Sequence, residues 1–152
     1  MTNTSLWLAA LMITSCAITG VHASGTVHGE PFSSELAEGT YCEHCSGGVR
    51  VFVRLARHPA TTVSNAHGQL VMDFPSCLPG DYGLGSDQLQ GMYYYPGEGG
   101  GAGRSVDCVK GEIRVLQCSE THVQLRFWCE FPDGSAVKGA VATDLKYDLG
   151  YD

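Results

Sequence analysis

After residue 48 the chain alternates apolar and polar side chains with a period of two. Val49, Val51, Val53 and Leu55 alternate with Arg50, Phe52, Arg54 and Ala56, the pattern of a strand buried on one face. Leu70, Met72 and Phe74 set against Val71 and Asp73 predict a second strand, opened by Gly68 and stopped at Pro75 and Pro79-Gly80-Asp81. Met92 to Tyr95 predicts a third. Its exit through Pro96 and the glycine-rich stretch 97–103 reads as a flexible loop, because fixing many glycines is entropically costly.

In the last third the register itself can be read. A three-residue connection Ser119-Glu120-Thr121 sets Val115 opposite Leu125 and Ile113 opposite Phe127, which keeps apolar residues together. Pro132-Asp133-Gly134 fits a type I turn ending in a left-handed Gly, a three-residue loop with a bulge. Phe131 then faces Ser135, Cys129 faces Val137 and Leu125 faces Val141. A two-residue Asp-Gly loop would instead place Lys138 beside Cys129, so the pattern selects the longer loop.

The one helical signal is Ser33-Ser34-Glu35-Leu36-Ala37, enough for about one turn. Residues 25–29 read as a further strand at a sheet edge, and no repeat of solenoid period is present. Short strands between Gly/Pro turns predict an all-β fold, an antiparallel β-sandwich with a small β-barrel as the alternative, with the meander 112–145 as its surest part.

Composition narrows the class. With 152 residues, 43% hydrophobic, the chain is long and apolar enough for one packed domain. A formal charge of -7 supplies no positive field for a nucleic-acid backbone or an anionic bilayer, so nucleic acid is excluded as a partner.

The amino terminus reads as an export signal. Residues 6–18 form an apolar run, and Val21 and Ala23 supply the small residues that precede a cleavage, leaving a mature domain 24–152. The run lacks the roughly 20 apolar residues that cross a bilayer, and no later stretch approaches that length. An alternative is a lipoprotein signal 1–15, since Ile13-Thr14-Ser15-Cys16 resembles a lipobox whose Cys16 would carry the lipid. Either route places the protein outside the reducing cell interior, secreted or in the periplasm or outer envelope.

Beyond Cys16 there remain Cys42, Cys45, Cys77, Cys108, Cys118 and Cys129, an even set that an oxidising compartment turns into disulfides of unspecified pairing. The rival for Cys42-Glu43-His44-Cys45 is a redox dithiol or a metal site on Cys42, His44 and Cys45. Ser46-Gly47-Gly48 and a strand follow it, where a reactive thiolate wants a helix N-terminus.

Other chemistry is sparse. Gly103-Arg104-Ser105 departs from a phosphate-binding loop, and no Gly-x-Ser-x-Gly elbow or His-Glu-x-x-His pair occurs. Asp73, Asp81 and Asp87 surround a Pro/Gly-rich segment without Ca²⁺-loop spacing and read as solvated turn carboxylates. Aromatic residues remain: Tyr93, Tyr94 and Tyr95 place rings on both faces of their strand, and Trp128 projects opposite Phe127 and Cys129. These rings are candidates for an exposed patch that takes a protein or a glycan. The expected function is therefore a non-enzymatic, cofactor-free binding or structural protein of the envelope or extracellular space. A metal-binding or redox protein and a small secreted hydrolase stand as alternatives.

Overall fold

The computed structural model describes residues 18–42, 48–55, 68–84, 91–96 and 105–148. Residues 1–17, the Gly-rich loop and the positions of Cys16, His44, Cys45 and Asp87 lie outside them. Among the described residues the regular structure is entirely β: β1 (Val21–Val27), β2 (Glu30–Ser34), β3 (Ala37–Cys42), β4 (Gly48–Leu55), β5 (Gly68–Phe74), β6 (Gly80–Gly83), β7 (Gly91–Pro96), β8 (Val106–Asp107), β9 (Lys110–Cys118), β10 (His122–Glu130) and β11 (Ala136–Tyr147). None of the described residues forms a helix long and apolar enough to cross a membrane.

The strands join in one order, β6-β9-β10-β11-β3-β4-β5-β7-β8, with β1 beside β11 and β2 beside β1. The sheet curls into a half-barrel whose concave side holds the core. Alternate residues of each strand meet there: Val51 and Val53, Leu70 and Met72, Ile113 and Val115, Leu125 and Phe127, Val137 and Val141. Period-two alternation makes this possible, because each strand sends every second side chain inward.

β11 organises the molecule. Its 12 residues pair with β10 along one edge, while its other edge takes β1 at Val137 to Val141 and then β3 at Leu145 to Tyr147. The β3 contact is parallel, so the sheet is mixed rather than antiparallel throughout.

Both expected pairings in the meander are present: Leu125 opposite Val115, Phe127 opposite Ile113, Cys129 opposite Val137 and Leu125 opposite Val141. Gly134 is left-handed at φ 83, and Phe131 N–H bonds Ser135 O at 2.8 Å, closing the three-residue loop. The β9–β10 turn differs from expectation. Val123 pairs with Cys118 and Ser119 N–H bonds His122 O, a two-residue turn, and the register then shifts between Gln124 and Leu125. Leu116 is the extra residue of that bulge, which restores the apolar pairing and leaves Gln117 exposed rather than inward.

Two other expectations are corrected. The segment 33–37 is not helical but carries the end of β2 and the start of β3, with the Leu36 N–H held by Ser34 Oγ at 3.1 Å. The early strand is not an edge: β1 is paired on both sides. β5 stops at Phe74, before Pro75, as expected, and Gly80 opens a further short strand, β6, which pairs with β9. A His28-Gly29 turn with φ of 52 and 76 joins β1 to β2, the left-handed pair a tight hairpin needs.

Two disulfides brace the curl. Cys77–Cys118 ties the loop after β5 to the end of β9, and Cys108–Cys129 ties the β8–β9 link to the inner face of β10. Cys42 is also disulfide-bonded, to a residue outside the described set.

Candidate functional site

The outer face of β10, β11, β1 and β2 forms an open groove of about 640 Å³. Register builds it in two rows. In one, Glu112, Trp128, Lys138, Ser24 and Ser33 stand side by side across five strands. In the other, Arg126 lies beside Ala140, and Ala140 beside His22. Neighbouring strands are about 4.8 Å apart and same-face residues on one strand about 6.8 Å apart, so Arg126 and Lys138 both flank the Trp128 ring.

Small residues keep the floor low. Ser24, Ala140 and Gly139 line the groove, and a Cβ on Gly139 would stand 2.5 Å from His22 O and 2.9 Å from Phe127 Cε1. Trp128 is 44% exposed, in a chain whose inward neighbours Phe127 and Cys129 are buried.

Charge is distributed unevenly around this groove. Of the six Lys and Arg residues whose side chains the structure describes, Arg50, Lys110, Arg114 and Lys146 each hold a carboxylate within 4.0 Å. Arg126 and Lys138 have no ion pair among the described residues, and both line the groove. Glu112, the carboxylate beside Trp128, is drawn to Arg114 at 3.6 Å, and Asp81 makes a bidentate pair with the same guanidinium at 2.7 and 3.3 Å. Asp81, followed by Glu112, raises the Arg114 pKa. The carboxylate lining the groove is Glu35.

The sequence-predicted residues separate. Tyr94 points inward, 5% exposed, with its ring edge-on to Phe131 at 6.1–6.3 Å from the His28 and Phe131 centroids. Tyr93 is half-buried and Tyr95 is 46% exposed on β7, a strand that does not line the Trp128 groove. Arg126, Lys138 and His22 were not singled out by sequence reasoning. The Cys129–Val137 register already implied Lys138 opposite Trp128, whereas His22 and Ser24 arrive only with the docking of β1.

Elsewhere the polar groups brace strands and turns, and Asp73 and Asp81, expected as solvated turn carboxylates, stand on β5 and β6 in cross-strand pairs with Arg50 and Arg114. Asp73 binds Arg50 at 2.6 and 3.1 Å, and its hydrogen bond raises the Arg50 pKa against the effect of burial. His122 Nδ1 lies 3.0 Å from Asp144 Oδ1, a His–Asp pair with Ser119 nearby. The Ser119 hydroxyl, however, accepts the His122 backbone N–H at 3.1 Å and closes the turn. Among the described residues no group of three or more His, Cys, Asp and Glu is placed to hold a metal. Cys42, buried at the end of β3 and joined in a disulfide, offers no thiolate to one.

No family model, curated protein or solved structure matches this chain.

Proposed function

We propose that this is an exported, disulfide-stabilised binding protein of the cell envelope or extracellular space, working through the outer-face groove at Trp128. The observation that carries the reading is an exposed indole set between the two cations that have no ion pair among the described residues. An exposed indole beside unpaired cations offers a ligand an apolar face and charge at one place.

Two bonded cysteine pairs fit an oxidising compartment. Export with processing upstream of Gly20 leaves β1 whole: Val21 and Ala23 are core residues, and Gly20 O accepts the Ala142 N–H at 2.8 Å. A cut after Ala23 would sever that strand, which favours the lipoprotein route through Cys16 or another early cut. The body that carries the groove is, on this reading, a small barrel rather than a sandwich. The support is the Cys108 N–H donating to Met92 O at 3.0 Å and the chain running from β8 into β9 within two residues.

The test uses the chain's own probe. Trp7 and Trp128 are its two tryptophans, so the processed protein reports on Trp128 alone. Titration of oxidised protein with acidic and neutral oligosaccharides, acidic peptides and anionic lipid vesicles is expected to give a saturable emission change with at least one class. No change with any class at millimolar concentration overturns the reading.

A further inference from the structure

We infer that the groove takes a carboxylate-bearing oligosaccharide, with a sugar ring stacked on Trp128 and its acid groups held by Arg126 and Lys138; this rests on the binding role proposed above.

Charge complementarity supplies the first argument. The chain carries -7 overall, yet the groove presents Arg126, Lys138 and His22 against Glu35. The carboxylates nearest Trp128 outside the groove lining, Glu112 and Glu130, are engaged by Arg114 and Lys110 on β9, and Asp81 is held by the same Arg114. A ligand carrying negative charge meets two cations that hold no ion pair among the described residues. A guanidinium and an ammonium suit it differently: Arg126 offers a flat bidentate fork, and Lys138 a mobile point charge.

Shape supplies the second. Trp128 stands on the outer face of the sheet between Glu112 and Lys138, and beyond Lys138 the groove continues over small groups, Ser24 and Ser33, with Ala140 in the next row. One large apolar ring is too little for a protein interface, whose centre is a cluster of desolvated aromatic and aliphatic anchors. It is sufficient for a pyranose, which has one apolar face to lay on the indole, while the next ring of the same oligosaccharide carries hydroxyls across Lys138 toward Ser24. The volume, about 640 Å³, falls in the range of small-ligand sites.

The row geometry fixes the spacing of what binds. Arg126 and Lys138 flank the indole along two directions, one along β10 and one across to β11. A chain of uronic-acid units, with a carboxylate on each ring, meets both cations while one ring covers Trp128. A neutral sugar satisfies the indole but leaves the cations unused, and an acidic peptide satisfies the cations but brings no flat apolar face.

The deciding experiment titrates oxidised, processed protein with oligogalacturonate, with a neutral oligosaccharide of equal length and with poly-glutamate, following Trp128 emission at low and physiological salt. Oligogalacturonate is expected to bind saturably, at least tenfold tighter than either comparator, and to weaken as salt rises. Arg126→Gln and Lys138→Gln are each expected to weaken it about tenfold with unchanged far-ultraviolet dichroism, since both side chains stand on the exposed face. Equal binding of the neutral sugar overturns the acid requirement, and equal binding of poly-glutamate overturns the saccharide requirement. In both cases the groove survives as a binding site. Emission that responds to none of the three but to lipid or peptide in the wider panel removes this inference alone, and silence throughout removes the binding role as well. Should Trp128→Ala retain full oligogalacturonate affinity by calorimetry, ligand binding lies elsewhere and the inference fails.

Discussion

Cys108 is joined to Cys129 across the core, so the residue that leads into β9 is fastened to a β10 side chain with no exposure to solvent. The bond ties the last link of one limb of the sheet to the centre of the other. The two cysteines are 21 residues apart, a loop whose closure restricts the unfolded chain by about 3 kcal/mol. The Cys108→Ala/Cys129→Ala double variant is therefore expected to lose about that much stability in urea. Losing Cys77–Cys118, which spans 41 residues, costs slightly more on the same grounds, about 4 kcal/mol. Equal urea midpoints for oxidised and reduced protein would contradict both.

Gly25 carries a φ of 151, and a Cβ built on it collides with the Ala136 carbonyl oxygen and stands 2.7 Å from Val137 Cα. Both are backbone atoms of β11, so neither yields by rotating a side chain. Gly25→Ala is expected to destabilise the protein by about 2 kcal/mol or more, through strain where β1 joins β11. Gly134→Ala, with open space at its Cβ but a φ of 83, should cost only the left-handed penalty of about 1 kcal/mol. The two variants separate close approach from conformation, and thermal unfolding reads the difference.

Asp133 couples the β10–β11 loop to acid. Its carboxylate accepts the Ser135 backbone N–H at 2.9 Å, and that bond, helped by the Ser135 hydroxyl and His28 at 3.8 Å, holds its pKa below the usual carboxylate range. A depressed folded pKa means that the native state binds the proton less readily than the unfolded chain. The contribution is thus complete above the unfolded value of about 3.9 and is lost as pH falls through the lower folded one. Asp133→Asn is expected to flatten the acid limb of the stability profile below about pH 4 while changing it little in slope above pH 5. Urea midpoints measured at half-unit pH intervals on both proteins check this.

A chain beginning at Ser24 lacks Val21 and Ala23, which are 8% and 5% exposed on the core side of β1. Restoring them to solvent costs about 2 kcal/mol, before the loss of their ladder hydrogen bonds to β11. Intact-mass measurement of exported protein is expected to place the mature terminus at or before Gly20, and a terminus at Ser24 would contradict the processing proposed here.

The strand content and the meander were legible in the sequence for a local reason. Alternation at period two identifies a half-buried strand without knowledge of its neighbour, and Pro132-Asp133-Gly134 sets one register by turn chemistry alone. The β9–β10 turn was misread because a bulge at Leu116 preserves the same apolar pairing with a shorter loop, and two solutions of equal hydrophobic merit look alike along the chain. Trp128 could be assigned to the face opposite Phe127, but not its exposure, which depends on nothing covering β10 from outside.

By itself the sequence determined an all-β body, a disulfide framework and a hairpin that puts Lys138 beside Trp128, because alternation, cysteine content and turn residues act over a few positions. Only the tertiary structure decided that β1 and β3 lie end to end on one edge of β11, one antiparallel and one parallel. Those contacts join residues more than 100 positions apart, such as His22 with Ala140 and Gly39 with Leu145. They form where side chains from distant strands fill one concave interior together, and the same docking lays His22 and Ser24 along the rim of the Trp128 groove.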